Sequence, residues 1–289
     1  MTVEKLNKNM TVKHLMTHTA GLTYHWGLTP VHQMVGANLW LNPMNPPMNS
    51  DDVIQQLKSI PLYYQPGDNF HYSISIDVIG ILIEKISGSK LSKFLDDNIF
   101  TPLGMEDTSF SVPDDKLNRF GSLYSLEPNL WLNIEGLVEN NSNSSYLLEP
   151  TFYSGGGGLV STIDDYMRFL DLLTNQGTVK GNSIVSSDSI QLFMSNQTGQ
   201  EYLSQIEKDS SQLVLKLDGL GHSLGGSVVL NTQECFFDSS PVGEFGWFGA
   251  AGTTFFVDPT EKLSVIFMTQ MLNKPRDLTY EIGNDIRNI

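Results

Sequence analysis

The stretch YYQPGDNFHYSISIDVIGILIEKISG (residues 63–88) decides how this chain is read. Its first half is a turn. Pro66-Gly67 pairs a residue that pre-sets one dihedral with one that accepts the left-handed region. Its second half, from Ser75 to Ser87, is apolar nearly all round. Such a helix is expected to be buried, and Gly88 is expected to close it. Tyr72 stands just ahead of the helix.

Outward from there, composition sets limits. The chain has 289 residues, 40% hydrophobic and 17% charged, with a formal net charge of −15. It can build a substantial core. An acidic surface repels nucleic acid and anionic membranes. No apolar run approaches the roughly 18 residues of a membrane span. The opening MTVEKLNKNMTV lacks the apolar stretch of a signal peptide. Cys235 is alone, so no disulfide forms within the chain and the redox compartment stays open.

Local patterns give the organisation. MTVKHLMTHTAGL (10–22) predicts a short helix starting near Thr11 and closed by Gly21. Residues 23–49, rich in proline and methionine, predict a long loop. NSDDVIQQLKSI predicts a capped amphipathic helix. SKLSKFLDDNIF predicts another, broken by TPLGM. Residues 111–153 read as irregular. In SGGGGLVSTIDDYMRFLDLLTNQG, the glycines allow close backbone approach, and Thr162 with Asp165 makes a capping box ahead of a helix. In the last third GLGHSLGGSVVLN, EFGWFGAAGTTFFVDP and KLSVIFMTQM predict three strands, and RDLTYEIGNDIRNI a closing helix.

Two motifs invite functional readings. Gly221-His222-Ser223-Leu224-Gly225 fits the nucleophile elbow of α/β-hydrolases. That elbow needs a helix after it and a later histidine base. All six histidines (His14, His18, His25, His32, His71 and His222) precede Ser223, and a strand pattern follows it. Ser223 is therefore read as part of a glycine-rich strand edge. HLMTH places His14 and His18 four apart, as in a zinc motif, but Leu15 takes the place of the glutamate base. The preferred reading is a helix histidine satisfied by nearby backbone.

The blocks MTVKHLMTHTAGL, YYQPGDNFHYSISIDVIGILIEKISG, IFTPLGMEDTSF, SGGGGLVSTIDDYMRFLDLL and WFGAAGTTFFVDP follow one another at sensible spacing. Together they resemble the serine β-lactamase superfamily, in its class C-like branch near penicillin-binding proteins and family VIII esterases. The resemblance implies an α+β fold: an antiparallel sheet flanked by helices, plus a mostly helical region, with the site between them. Residues 1–289 are then a single truncated domain. It is mainly helical over about 10–200, with sheet strands and a C-terminal helix over about 215–289.

The superfamily works with three motifs. S-x-x-K supplies a nucleophilic serine and its proton relay. A Tyr-x-Asn type motif shares the proton traffic. Lys-Thr-Gly on an edge strand presents a cation and an oxyanion N–H. The second motif maps onto Tyr72-Ser73-Ile74, with isoleucine in the asparagine's place. The third maps onto Trp247-Phe248-Gly249, followed by Ala250, whose N–H would face the oxyanion. Tryptophan for lysine is frequent in the esterase branch and favours esters over penicillin-like substrates, while Phe248 adds unusual bulk. The first motif is missing. The chain's one S-x-x-K, Ser87-Gly88-Ser89-Lys90, comes after Tyr72, at a helix end.

The expected function is thus a β-lactamase-related serine hydrolase, esterase-like and inactive as it stands. Its nucleophile and the first sheet strands would lie in an N-terminal segment ahead of Met1. Two alternatives stay open. One is a non-catalytic relative that binds a ligand or partner in the cleft. The other is an α/β-hydrolase using Ser223. The resemblance implies a small-molecule ester or amide substrate and no cofactor or metal. It leaves compartment open and suggests self-association through an exposed edge on KLSVIFMTQM.

Overall fold

A computed structural model describes residues 2–39, 48–126, 136–198, 219–232, 240–272 and Asp285. Its helices are α1 (Val12–Met16), α2 (Pro30–Asn38), α3 (Ser50–Lys58), α4 (Ser75–Ser87), α5 (Leu91–Leu95), α6 (Thr101–Leu103), α7 (Ile163–Thr174) and α8 (Ser187–Met194). A wide π turn over Asp96–Phe100 joins α5 to α6. The strands are β1 (Leu123–Ser125), β2 (Gly136–Glu139), β3 (Thr178–Val179), β4 (Asn182–Ser183), β5 (Leu220–His222), β6 (Ser227–Val229), β7 (Phe245–Phe248), β8 (Thr254–Asp258), β9 (Leu263–Phe267) and β10 (Met271–Leu272). No helix among the described residues is long and apolar enough to cross a membrane.

The architecture is α+β. The main sheet runs β5-β6-β7-β8-β9, with every pairing antiparallel. Helix α7 lies on one face, burying Leu170 and Leu173 with Phe245, Val228 and Val257. A second core gathers Leu15, Ala20, Val35, Val53, Ile74 and Ile81 from α1 to α4 and their connections. Burying such side chains stabilises each core by about 1.5–3 kcal/mol per residue.

Helix starts follow their caps. Asn49 accepts from the amides of Asp51 and Asp52, and Asp52 returns a bond to the Asn49 amide, so α3 carries a full capping box. Thr162 caps the amide of Asp165 at 3.3 Å. The other half of the predicted box is absent, because the Asp165 carboxylate accepts from the Asp107 amide, from Thr108 and from Arg168 instead. Helix α4 ends at Gly88, φ +68°, as its sequence predicts. Its burial is less complete than expected, since Ile86 is 78% exposed.

Several boundaries differ from the sequence reading. Helix α1 stops at Thr17 rather than Gly21, because His18 turns to φ +52°. Gly21 serves a close approach, since a Cβ there would lie 2.0 Å from the Tyr64 carbonyl oxygen. The expected loop 23–49 contains α2, whose Pro30 sits in the first turn where no N–H is needed; residues 40–47 lie outside the described residues. Pro102 likewise leads α6 without breaking the run, which ends at Gly104. The irregular stretch contains β1 and β2, and β1 takes a distant parallel partner, Tyr124 opposite Met271. GLGHSLGGSVVLN and EFGWFGAAGTTFFVDP are each a hairpin, not one strand. Apart from Asp285, the expected closing helix lies outside the described residues.

Candidate active site

Tyr72 lies on the extended run between the Pro66-Gly67 turn and α4. The His71 amide donates to the His18 carbonyl at 2.7 Å, and the Ser73 amide to His18 Nδ1 at 3.2 Å. Ile74, which follows Ser73, is buried in the second core. Around the phenol stand the rings of His18 (4.6 Å between centroids), Tyr24 (5.7 Å), Trp247 (5.8 Å) and Trp26 (6.4 Å). Burial raises the Tyr72 pKa above its usual value, a hydrogen bond from the Trp247 side chain opposes this, and the Asp77 carboxylate adds to the rise. The hydroxyl is therefore protonated at neutral pH.

Asp77 sits in the first turn of α4, nearly fully buried. Burial raises its pKa, opposed by bonds from the Ser154 hydroxyl and the Gly156 amide. The glycine run makes this grip possible. A Cβ on Gly155 would lie 2.5 Å from the Ile76 carbonyl oxygen, and one on Gly156 would lie 2.8 Å from Asp77 Oδ2. Gly155 and Gly156 thus lie close against α4, the close backbone approach that the glycine run suggests.

Trp247 closes the site from the sheet. It pairs with Phe255 across β7 and β8, and its carbonyl accepts from Thr254 Oγ1 at 3.2 Å. Phe248 stacks on it at 5.1 Å and is partly exposed. Gly249 donates to the Thr253 carbonyl at 2.8 Å, and Ala250 is exposed at the hairpin tip. The fold brings Tyr72 and Trp247 together, with Phe248 beside them and Gly249 and Ala250 just beyond.

A sequence profile described as beta-lactamase matches residues 4–285. The chain belongs to the beta-lactamase family. An uncharacterized protein of Mycobacterium tuberculosis is 30% identical over 270 residues, covering 90% of this chain and 62% of that protein. Esterase EstB of Burkholderia gladioli is 27% identical over 275 residues, 90% of this chain and 64% of EstB. The chain thus spans under two thirds of the length of these relatives. Among solved structures, EstCE1, a hydrolase with promiscuous acyltransferase activity, superposes with a TM-score of 0.73 at 23% identity, covering 96% of this chain and 71% of that one. That likeness supports the beta-lactamase-like fold.

The other candidates fall elsewhere in this beta-lactamase-family fold. Ser223 is wholly buried in the β5–β6 turn, where its hydroxyl accepts from the Gly225 and Gly226 amides at 3.1 Å each. A strand, not a helix, follows it, which agrees with the reading of Ser223 as part of a glycine-rich strand edge. Ser87 is exposed at the end of α4, and Lys90 reaches the Tyr153 hydroxyl at 3.4 Å, away from Tyr72. His14 caps α1, its Nδ1 accepting from the Thr11 amide at 3.3 Å. His18 points the other way, into the Tyr72 cluster.

Sequence reasoning missed four neighbours of the site. The sequence reads His18 as a helix histidine satisfied by nearby backbone, with a metal ligand as the alternative, and neither reading places it beside Tyr72. His222 was passed over as part of a false elbow. Its ring lies 5.3 Å from Trp247 and 5.5 Å from His18, and its Nδ1 bonds the Ser223 carbonyl at 2.7 Å. Tyr24 and Trp26, stacked at 4.1 Å, form the wall beside Tyr72. The available signal was the aromatic cluster Tyr24-His25-Trp26 directly after the HTAGL turn.

Proposed function

We propose that this chain forms the proton-handling and aromatic side of an esterase-like site, and that it does not itself carry the nucleophile. The observation that carries the reading is Trp247 set against Tyr72, their rings 5.8 Å apart between centroids. A protonated Tyr72 cannot take the proton of an attacking serine, so the S-x-x-K lysine takes that proton; Tyr72 gives its own to the leaving alkoxide and is re-protonated from the lysine. Tryptophan in place of a lysine offers no cation to a substrate carboxylate, which suits an uncharged ester. The Ala250 N–H would face the oxyanion from the hairpin tip.

The 289-residue chain alone is expected to show no burst with p-nitrophenyl esters or nitrocefin and no stoichiometric labelling by a fluorophosphonate. Labelling of one serine in full yield would overturn this. In a form that carries an S-x-x-K serine ahead of Met1, Tyr72→Phe is expected to lower kcat on a short-chain ester by about 100–10,000-fold. Folding should be unchanged, because the ring is kept. A change under about threefold removes Tyr72 from the reaction and favours the second reading, a non-catalytic ligand-binding relative. That reading is supported by Ser87 lying at an exposed helix end.

A further inference from the structure

His18 is a non-glycine residue at φ +52°, just past the end of α1. The left-handed region costs an ordinary residue about 1–2 kcal/mol, and such conformations gather where function needs them. Here the conformation commits every polar group of the backbone and one of the ring. The His18 amide donates to the Leu15 carbonyl at 3.2 Å, and its carbonyl accepts the His71 amide at 2.7 Å. Its Nδ1 takes the Ser73 amide at 3.2 Å, in a residue only 3% exposed. The two bonded amides flank Tyr72. The imidazole itself lies 4.6 Å from the phenol ring, tilted by 42°. Neighbouring bonds extend the support: the Gly67 amide donates to the Thr19 carbonyl at 2.6 Å, and the Tyr63 amide to the Gly21 carbonyl at 2.7 Å.

An amide N–H can only donate, so Nδ1 must present its lone pair to Ser73. The neutral ring is therefore the Nε2–H tautomer. We propose that His18, as this tautomer, is the positioning residue for Tyr72: it clamps the backbone on both sides of the tyrosine and seats the phenol against Trp247. The proposal rests on the reading of Tyr72 as the proton-handling group. Burial, with His222 and His71 nearby, holds the His18 pKa well below its usual value, so the acceptor persists at neutral pH.

The first test needs no variant. Long-range 1H–15N correlation on the 289-residue chain at neutral pH is expected to show His18 Nδ1 unprotonated and Nε2 protonated. The opposite tautomer overturns the clamp. The second test titrates the Tyr72 13Cζ resonance, assigned by its loss in Tyr72→Phe. His18→Gly accepts the backbone but has no acceptor. It is expected to let the phenol titrate about one pH unit or more closer to the usual value near 10. His18→Asn tolerates the left-handed region and sets Oδ1 near the Nδ1 position, so it is expected to keep the wild-type midpoint within about 0.3. A folded His18→Gly with an unchanged midpoint overturns the proposal. Should that variant not fold, a shifted midpoint in His18→Asn does the same.

In a form that hydrolyses esters, His18→Gly should lower kcat with little change in KM. Combined with Tyr72→Phe, it should add less than about twofold further loss, since both act through one hydroxyl. An additive loss counts against positioning. If Tyr72→Phe has no effect on turnover, the proposed function fails, while the tautomer and the phenol titration still decide the clamp.

Discussion

A buried imidazole resists taking a proton, and His222 makes that resistance a measurable property of this site. It is 2% exposed, and burial pulls its pKa down to about 4, with the bond to the Ser223 carbonyl opposing. The unfolded chain takes up this proton near pH 6.5, the folded chain only near pH 4. Stability is therefore intact above pH 6.5 and lost as pH falls through that window. The full loss is about 3 kcal/mol. Urea midpoints between pH 7 and 4 should fall more steeply for the wild type than for His222→Phe. Equal slopes would show that the titration lies elsewhere. Tyr72 and Trp247 were legible in the sequence because short blocks around them carry a family pattern. His18 was not, since its role depends on a positive φ and on an amide 55 residues away.

Packing between elements is tightest where the glycine run meets α4. Gly155 and Gly157 are two residues apart yet differ in what a methyl would meet. At Gly155 it would strike the Ile76 carbonyl, a backbone atom that cannot swing aside, whereas at Gly157 nothing lies within 4 Å. Gly155→Ala should destabilise by about 1–3 kcal/mol, and Gly157→Ala by no more than about 0.5 kcal/mol. Thermal melts of the pair check this, and similar melting temperatures would contradict the close approach. The Gly155 change should also loosen the hold of Ser154 and Gly156 on Asp77. Capped helices such as α3 were legible because their signal is local. The hairpins were not. Gly225-Gly226 and the Gly249–Gly252 turn are so short that each pair of strands reads as one run, and β1 finds its partner β10 well over 100 residues away.

At the scale of the whole molecule, the main sheet ends on β9. Among the described residues it pairs with β8 alone. Among the described residues β9 is thus an edge of this sheet, and a sheet edge recruits another strand unless charge, proline or a bulge blunts it. The strand LSVIF has none of these. We expect the protein to self-associate through this edge. The charge of −15 opposes that, and salt screens like charges beyond about 10 Å at 0.1 M. Association should therefore strengthen from low to moderate salt. Ser264 bonds Thr174 and Ile266 packs in the α7 core, so alternation turns Val265 to the opposite face. Val265→Lys should then place a charge on the edge strand without disturbing α7. Light scattering across concentration and salt checks both expectations. A wild type that stays monodisperse and monomeric at high concentration defeats the first. Association that persists unchanged in Val265→Lys, with the fold intact by circular dichroism, moves the contact to another surface.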